Sequence, residues 1–237
     1  MPGSMLKSRA RRIIIDNFPK ILIYSFIYVT LTAIVSWFVF RLPGSISFEE
    51  INSRLAAGEM PGFAVIYSNF RPFGVFLALL LYLISPLLDV GFISYCLKIN
   101  RKQETDYKDL FNGFIFFIKV LAIFIITTFY ILLWSILLII PGIVAFYRYR
   151  QAYYILLDDP RKSALQCIEE SCLLMKTRKL DLLIIDISFL GWVFLDFIVT
   201  ILIPLPFVIP IISIWLSPYM GLTRVGFYED LVTTTAV

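Results

Sequence analysis

Histidine is absent from this chain of 237 residues, and charged residues make up only 16% of it. Without histidine the commonest general base and metal ligand is missing, which excludes Ser-His-Asp chemistry. The three cysteines, Cys96, Cys167 and Cys172, lack the spacing of a metal site. No glycine-rich phosphate loop or dinucleotide fingerprint is present either. We therefore predict no catalytic residue, no metal site and no cofactor.

Apolar residues take the place of the missing polar chemistry. Hydrophobic residues make up 59% of the chain, against about 45–50% in a soluble domain. From Gly113 to Tyr147 the sequence contains a single charge, Lys119. The composition predicts an all-α fold, a polytopic membrane helical bundle, as one domain over 5–237. Residues 1–4 precede a second methionine and look like a cloning remnant.

The lengths of the apolar runs predict the helices. A membrane-spanning helix needs about 20 apolar residues. Runs of this kind, the last one shorter, lie at 18–40, 72–97, 119–140, 180–203 and 208–226. The segment 143–157 is ambiguous, because it is short and polar for a lipid-exposed helix and yet too apolar for an exposed loop.

The distribution of lysine and arginine decides the ambiguity. If 143–157 crosses the bilayer, the chain has about six transmembrane helices, and most basic residues fall on the cytoplasmic side, as the positive-inside rule requires. The opposite side then receives only Arg41, Arg54 and Arg71. If the segment does not cross, the basic block at 161–179 moves outside and the asymmetry largely disappears. We predict a multi-pass protein of the bacterial cytoplasmic membrane with both termini cytoplasmic.

Proline and glycine mark the predicted turns of this arrangement. Pro141 and Gly142 are expected to form an outer turn between the third and fourth helices, since proline can begin a helix and glycine permits a tight turn. A cytoplasmic amphipathic helix is predicted at 160–177, with Asp159 as its N-cap and Pro160 as its first residue. The next outer turn is predicted at Pro204, Pro206 and Pro210.

Two further surfaces follow from the same topology. The segment 6–15 carries a cluster of basic residues and is expected to bind lipid headgroups. These residues are Lys7, Arg9, Arg11 and Arg12. The long outer loop at 41–71 is the only sizeable external surface in the predicted topology.

Four charged residues fall at similar depths inside the predicted helices, and we call them the charged layer: Asp89, Arg148, Arg150 and Asp186. At 1.5 Å per residue they lie about 9–15 Å from the cytoplasmic ends of their helices. A charge near a helix centre costs about 2.5–3.5 kcal/mol on insertion scales, so these side chains should be buried in the bundle. Either they form a neutral ion-pair network that fixes helix register, or they line a pathway for an ion, proton or small solute. Asp196 is expected to face the outer half instead.

Several stretches together suggest a family. They are Leu133 to Ile143 with its Pro-Gly pair, Tyr147-Arg-Tyr149, Ala152 to Ile155, Asp158-Asp-Pro160, Ser171, Met175-Lys176, Ser188 to Trp192, Leu6-Lys7 and Asp109 to Phe114. They closely resemble the bacterial membrane-protein family catalogued as domain of unknown function 975, which is common in Firmicutes. The chain is more distantly similar to the membrane domain of some glycerophosphodiester phosphodiesterases. The resemblance implies an integral membrane protein, and it transfers no activity and no functional residue.

The expected function is a non-enzymatic envelope component: a scaffold, an accessory subunit or a protective, immunity-type protein. The alternative is a small transporter or channel that uses the charged layer. An intramembrane enzyme acting on lipid ranks third because histidine is missing. The expected partners are the lipid bilayer and either another membrane protein or further copies of the chain. Nucleic acid is not expected, since orientation in the membrane accounts for the net charge of +4.

Overall fold

The computed structural model of the chain describes residues 3–41, 72–202 and 211–235 and the single position Ala57. Helices and their connections make up this part of the chain, and it contains no strand, which confirms the predicted all-α class for it. The helices are α1 (Gly3–Asp16), α2 (Lys20–Arg41), α3 (Pro72–Tyr82), α4 (Ser85–Asn100), α5 (Asn112–Ile115), α6 (Phe117–Leu137), α7 (Ile139–Tyr149), α8 (Ala152–Asp158), α9 (Ala164–Leu174), α10 (Lys179–Ile187), α11 (Leu190–Leu202) and α12 (Ile211–Thr235). A short 3₁₀ helix, Tyr107–Phe111, precedes α5.

Helical segments at four places are long and apolar enough to cross a membrane. They are Lys20–Val39, Phe73–Asn100, Phe117–Leu137 and Lys179–Val199. Their apolar side chains are largely exposed on the bundle surface, and only 17% of the Phe117–Leu137 segment is buried. An apolar surface of this extent is unfavourable in water and typical of contact with lipid. These helices are compatible with a membrane protein.

Two of the predicted long helices are each divided into a pair. The run at 72–97 is interrupted between α3 and α4, where Pro86 lies in the first turn of α4. Proline has no N–H and its ring conflicts with the preceding helical turn. The run at 180–203 is interrupted at 188–189, where the Ser188 hydroxyl donates to the Ile185 carbonyl. Competition of this kind between a serine side chain and the backbone weakens helix continuity.

The segment α7–α8 runs antiparallel to α6 along its length. The chain reverses at Leu138, whose backbone is extended, and Pro141 and Gly142 lie just after the reversal, in the first turn of α7. A Cβ atom on Gly142 would lie 2.1 Å from the Ser135 hydroxyl oxygen, so glycine permits the close approach of the two helices. Lys119 donates to the carbonyl of Pro160 at the other end of the pair.

A single serine bridges the interruption between α7 and α8. The Ser171 hydroxyl of α9 accepts a hydrogen bond from the Gln151 N–H at 3.1 Å and donates to the Arg148 carbonyl at 2.8 Å. Both backbone groups would otherwise lose a partner at the helix break, at a cost of about 1–3 kcal/mol each. The predicted helix at 143–157 is thus two short helices joined at residues 150–151.

The amphipathic segment predicted at 160–177 begins later than expected, so this prediction is wrong at its N-terminus. Ser163, not Asp159, is the N-cap of α9: its hydroxyl accepts from the Gln166 N–H, and the Gln166 side chain accepts from the Ser163 N–H. This reciprocal capping box satisfies two backbone donors. The Asp159 carboxylate instead accepts from the Arg161 N–H and closes a turn before the helix.

Helix α12 packs against α1, α2, α4, α9 and α11. The helix predicted at 208–226 is longer than predicted: it continues to Thr235, and its described part begins at Ile211. On α1, Lys7 lies over the Phe189 ring and the Arg11 guanidinium donates to the Tyr219 hydroxyl. Arg9 and Arg12 are exposed. The predicted turn at 204–210 lies outside the described residues, as does the outer loop apart from Arg41 and Ala57.

Two glycines allow the segment 107–115 to pack directly against α4. A Cβ atom on Gly91 would lie 1.7 Å from the Leu110 carbonyl oxygen, and one on Gly113 would lie 2.0 Å from that of Leu87. Both obstacles are backbone atoms, which cannot rotate away. Close helix contacts of this kind depend on small residues.

Gly91→Ala is expected to destabilise the protein by about 2 kcal/mol, because the added methyl group forces α4 and the 3₁₀ helix apart. The measurement is thermal unfolding of the purified protein in detergent. Gly191→Ala is the matched control, since nothing lies within 4 Å of its Cβ position. Equal midpoints for the two variants would contradict the close packing at Gly91.

Candidate functional site

A central cavity of about 500 Å³ lies between α2, α4, α6, α7, α8 and α12. Its wall combines aromatic and aliphatic side chains with three charged ones: Asp89, Arg150 and Arg224. This volume lies within the range of about 300–1,000 Å³ that is usual for small-molecule sites. We treat the central cavity as the candidate functional site.

Asp186 and Arg224 form an ion pair beside the cavity. The Arg224 Nε donates to Asp186 Oδ1 at 3.0 Å, and its Nη2 lies 2.9 Å from the same oxygen. Tyr147 donates its hydroxyl to the other carboxylate oxygen at 3.3 Å. The three residues belong to α10, α12 and α7, so the carboxylate of Asp186 connects three helices.

A second carboxylate connects α2 with α4. The Tyr28 hydroxyl donates to Asp89 Oδ1 at 2.6 Å, a distance typical of a charge-assisted hydrogen bond. The Tyr28 ring stacks on Phe92 with 4.3 Å between centroids, which fixes its orientation. Asp89 nevertheless remains exposed, because it faces the central cavity.

Arg150 lies at the α7–α8 junction and faces the same cavity. Its guanidinium carbon lies 4.8 Å from the centroid of the Phe146 ring. Within the described ranges, no hydrogen bond or ion pair to this guanidinium is present. The carboxylates of the site have other partners: Asp186 pairs with Arg224, and Asp89 accepts from Tyr28.

Arg148 lies apart from the other three residues of the charged layer. It lies in a separate hollow of about 330 Å³, lined by Trp134, Ile140, Pro141 and their neighbours on α6 and α7. The structure therefore brings together Asp89, Arg150 and Asp186 but leaves Arg148 out. Pro141 lines this second hollow, and Gly142 packs against Ser135 of α6. Neither residue lines the central cavity.

Arg224 takes the place in the site that the sequence analysis gave to Arg148. The sequence does contain a signal for it, because Arg224 is the only charged residue between Ile211 and Tyr228 of an apolar helix. An isolated charge of this kind marks a functional or buried position. The count of basic residues on each side of the membrane placed Arg224 with the cytoplasmic majority, so it was not considered for the charged layer.

Asp196 has a structural role at the N-terminus of α12. Its carboxylate accepts hydrogen bonds from the Ile212 N–H, at 3.0 Å, and from the Ser213 hydroxyl. The free N–H groups at a helix N-terminus favour a negative charge. Asp196 thus lies apart from the central cavity.

A polar cluster connects the ends of α4, α8 and α12. Arg101 forms ion pairs with Asp158 and Glu229, each at 2.7 Å, and Tyr228 donates to Asp158 at 2.7 Å. The hydrogen bond to Asp158 raises the pKa of Arg101. All these groups have partners, so the cluster holds the ends of these three helices together.

The three cysteines are not among the residues that line the central cavity. Cys96 and Cys167 are buried, Cys172 is half-buried, and all three are free thiols. Burial raises the pKa of the Cys167 thiol, which disfavours the reactive thiolate. Over residues 3–41, 72–202 and 211–235, no group of three or more Cys, Asp or Glu residues could hold a metal ion.

Arg224→Gln should destabilise the protein by about 3 kcal/mol, because it leaves the Asp186 carboxylate without its ion-pair partner. Adding Asp186→Asn to this variant should recover part of the loss. The measurement is a double-mutant cycle from unfolding in detergent. The exposed Lys162–Glu170 pair is the matched control, since such pairs contribute only about 0–1 kcal/mol. Additive effects of Asp186→Asn and Arg224→Gln would contradict the coupling.

A comparison with protein families bears on the second half of the chain. The family model described as "Protein of unknown function (DUF975)" matches residues 136–235. This segment contains Arg150, Asp186 and Arg224, whereas Leu6-Lys7 and Asp109 to Phe114 lie outside it. Searches of curated proteins and of solved structures gave no match. The match supports the resemblance drawn from the motifs, and over residues 136–235 the chain is similar to the DUF975 family of unknown function.

Proposed function

We propose that the protein is a non-enzymatic component of the bacterial cytoplasmic membrane, acting as a scaffold, an accessory subunit or a protective, immunity-type protein. The observation that carries this proposal is the use of intramembrane carboxylates as links between helices. Asp186 connects α7, α10 and α12, and Asp89 connects α2 and α4. Charged groups that hold a bundle together fit a structural or binding role better than acid–base chemistry.

About six crossings are proposed, with α7–α8 and α12 added to the apolar segments described above. Two observations support α7–α8 as a crossing. Its contacts with α6 extend from Lys119 and Pro160 at one end, through Tyr130 and Tyr149, to the reversal at Leu138. The positive-inside rule also requires an even number of crossings between the basic N-terminus and the basic 161–179 block.

Cysteine labelling in intact cells tests this topology. In a background without native cysteines, Ile140→Cys and Arg161→Cys place a thiol at exposed positions at the two ends of α7–α8. A membrane-impermeant maleimide is expected to label Ile140→Cys and to leave Arg161→Cys unlabelled until the cells are opened. Equal labelling of both thiols in intact cells would contradict the crossing.

A partner of the protein is expected to co-purify with it. Extraction of the native protein in polymer nanodiscs, followed by mass spectrometry of all proteins and lipids in the particle, should find a stoichiometric protein partner or further copies of the chain. Particles that contain single copies and no other protein would contradict the scaffold and accessory roles. Particles from cells without the protein provide the background.

The second candidate function is a small transporter or channel, which the central cavity favours. Its wall carries charged side chains, and Asp89 remains exposed within it. Under this alternative, purified protein in liposomes conducts a solute, and Asp186→Asn with Arg150→Gln changes the flux without unfolding the protein. Under the first proposal the same substitutions alter mainly stability or assembly.

A further inference from the structure

We propose that the central cavity is a binding site for a phosphate-type oxyanion and that Arg150 is its main anchor. The oxyanion belongs either to a lipid headgroup or to a soluble phosphate ester, since both carry a negatively charged phosphate. The inference deepens the proposed function, on whose membrane location it rests, by naming a ligand class for the cavity.

The first argument is the state of Arg150. A guanidinium has five N–H donors and stays charged in proteins. Within the described ranges it has no hydrogen-bond or ion-pair partner, and it lies over the face of the Phe146 ring. A half-buried charge without a partner is costly, and arginine binds phosphate with two parallel hydrogen bonds. An oxyanion in the cavity would supply the missing acceptors.

The second argument is the charge balance of the cavity wall. Arg150 and Arg224 both line the cavity, and two like charges on one wall repel each other. Asp89 is the carboxylate on the same wall, and it already accepts from Tyr28. Asp186 is held by Arg224 and Tyr147. Both carboxylates are therefore engaged, and among the described residues Arg150 is the cavity guanidinium that has no anionic partner. A ligand with negative charge would balance it.

The third argument is the remainder of the lining, which suits an amphiphile. The lining includes the polar residues Tyr153, Tyr154 and Ser217 as well as the apolar residues Phe92, Phe124 and Ile131. Helix α6, which contributes to this wall, exposes large apolar side chains such as Phe129 on its outer side. These features favour a lipid headgroup over a free phosphate ester as the source of the oxyanion.

The experiment compares Arg150→Gln with Arg148→Gln, which removes the same charge two residues away in a separate hollow. Purified proteins in a phosphate-free maltoside detergent are titrated with short-chain phosphatidic acid, with diacylglycerol of the same chains and with inorganic phosphate. Binding is measured by native mass spectrometry and by intrinsic fluorescence. Wild type and Arg148→Gln should bind phosphatidic acid with similar affinity, and Arg150→Gln at least about tenfold more weakly.

The three ligands separate the sources of the oxyanion. Saturable binding of phosphatidic acid with weak binding of phosphate assigns the site to a headgroup, and equal binding of both assigns it to a soluble phosphate ester. If diacylglycerol binds as well as phosphatidic acid, or if Arg150→Gln binds like Arg148→Gln, the proposal is overturned.

Folding is controlled by size-exclusion chromatography and thermal unfolding of each variant. Should Arg150→Gln fail to fold, Arg150→Lys keeps the charge but loses the paired donors, and it should bind several-fold more weakly than wild type. Wild-type affinity in Arg150→Lys would then overturn the role of Arg150. Because cysteine labelling tests the membrane topology without any ligand, failure of the binding site and failure of the proposed function are distinguishable.

Discussion

Polar groups in apolar surroundings must find their partners within the chain, and this constraint underlies most of the architecture. The breaks in the apolar helices show its effect. Ser171 supplies both bonds that are lost between α7 and α8, and Asp196 accepts from the Ile212 N–H in the first turn of α12. Lys119, the isolated charge of α6, donates to the carbonyls of Pro160 and Lys162. At the α7–α8 break and at the start of α12, another element thus provides the polar side chain.

Helix α12 organises these contacts along its whole length. Beginning at its N-terminus, Asp196 of α11, Asp186 of α10 and Arg178, just before α10, bond to it in turn. Its other sides contact α1, α2 and α4. The central cavity lies where this helix, α4 and the α7–α8 break do not close on each other. The candidate site is therefore formed by the packing of the bundle and does not require an added loop.

Apolar length was sufficient to predict helices at 18–40 and 119–140, because long runs without charges have few alternative structures. Side-chain capping was not predictable in the same way: Asp159 before Pro160 is a good capping sequence, and the Ser163–Gln166 pair provided a better one. The separation of Arg148 from Arg150 follows from helix geometry, since residues two apart are rotated by about 200°. Arg224 was missed because a count of charges by side ignores which neighbour a charge faces. The role of Ser171 depends on contacts between distant helices, which a single sequence does not reveal.

The bridge made by Ser171 has a mechanical consequence. Its two bonds reach the residues on both sides of Arg150, namely the carbonyl of Arg148 and the N–H of Gln151. The backbone that carries the cavity guanidinium is thus attached to α9, a helix capped by Ser163 and Gln166 outside the apolar segments. A displacement of α9 must either break these bonds or rotate the peptide units around Arg150. Movement of the amphipathic helix α9 is therefore transmitted through Ser171 to the backbone that carries Arg150 at the cavity.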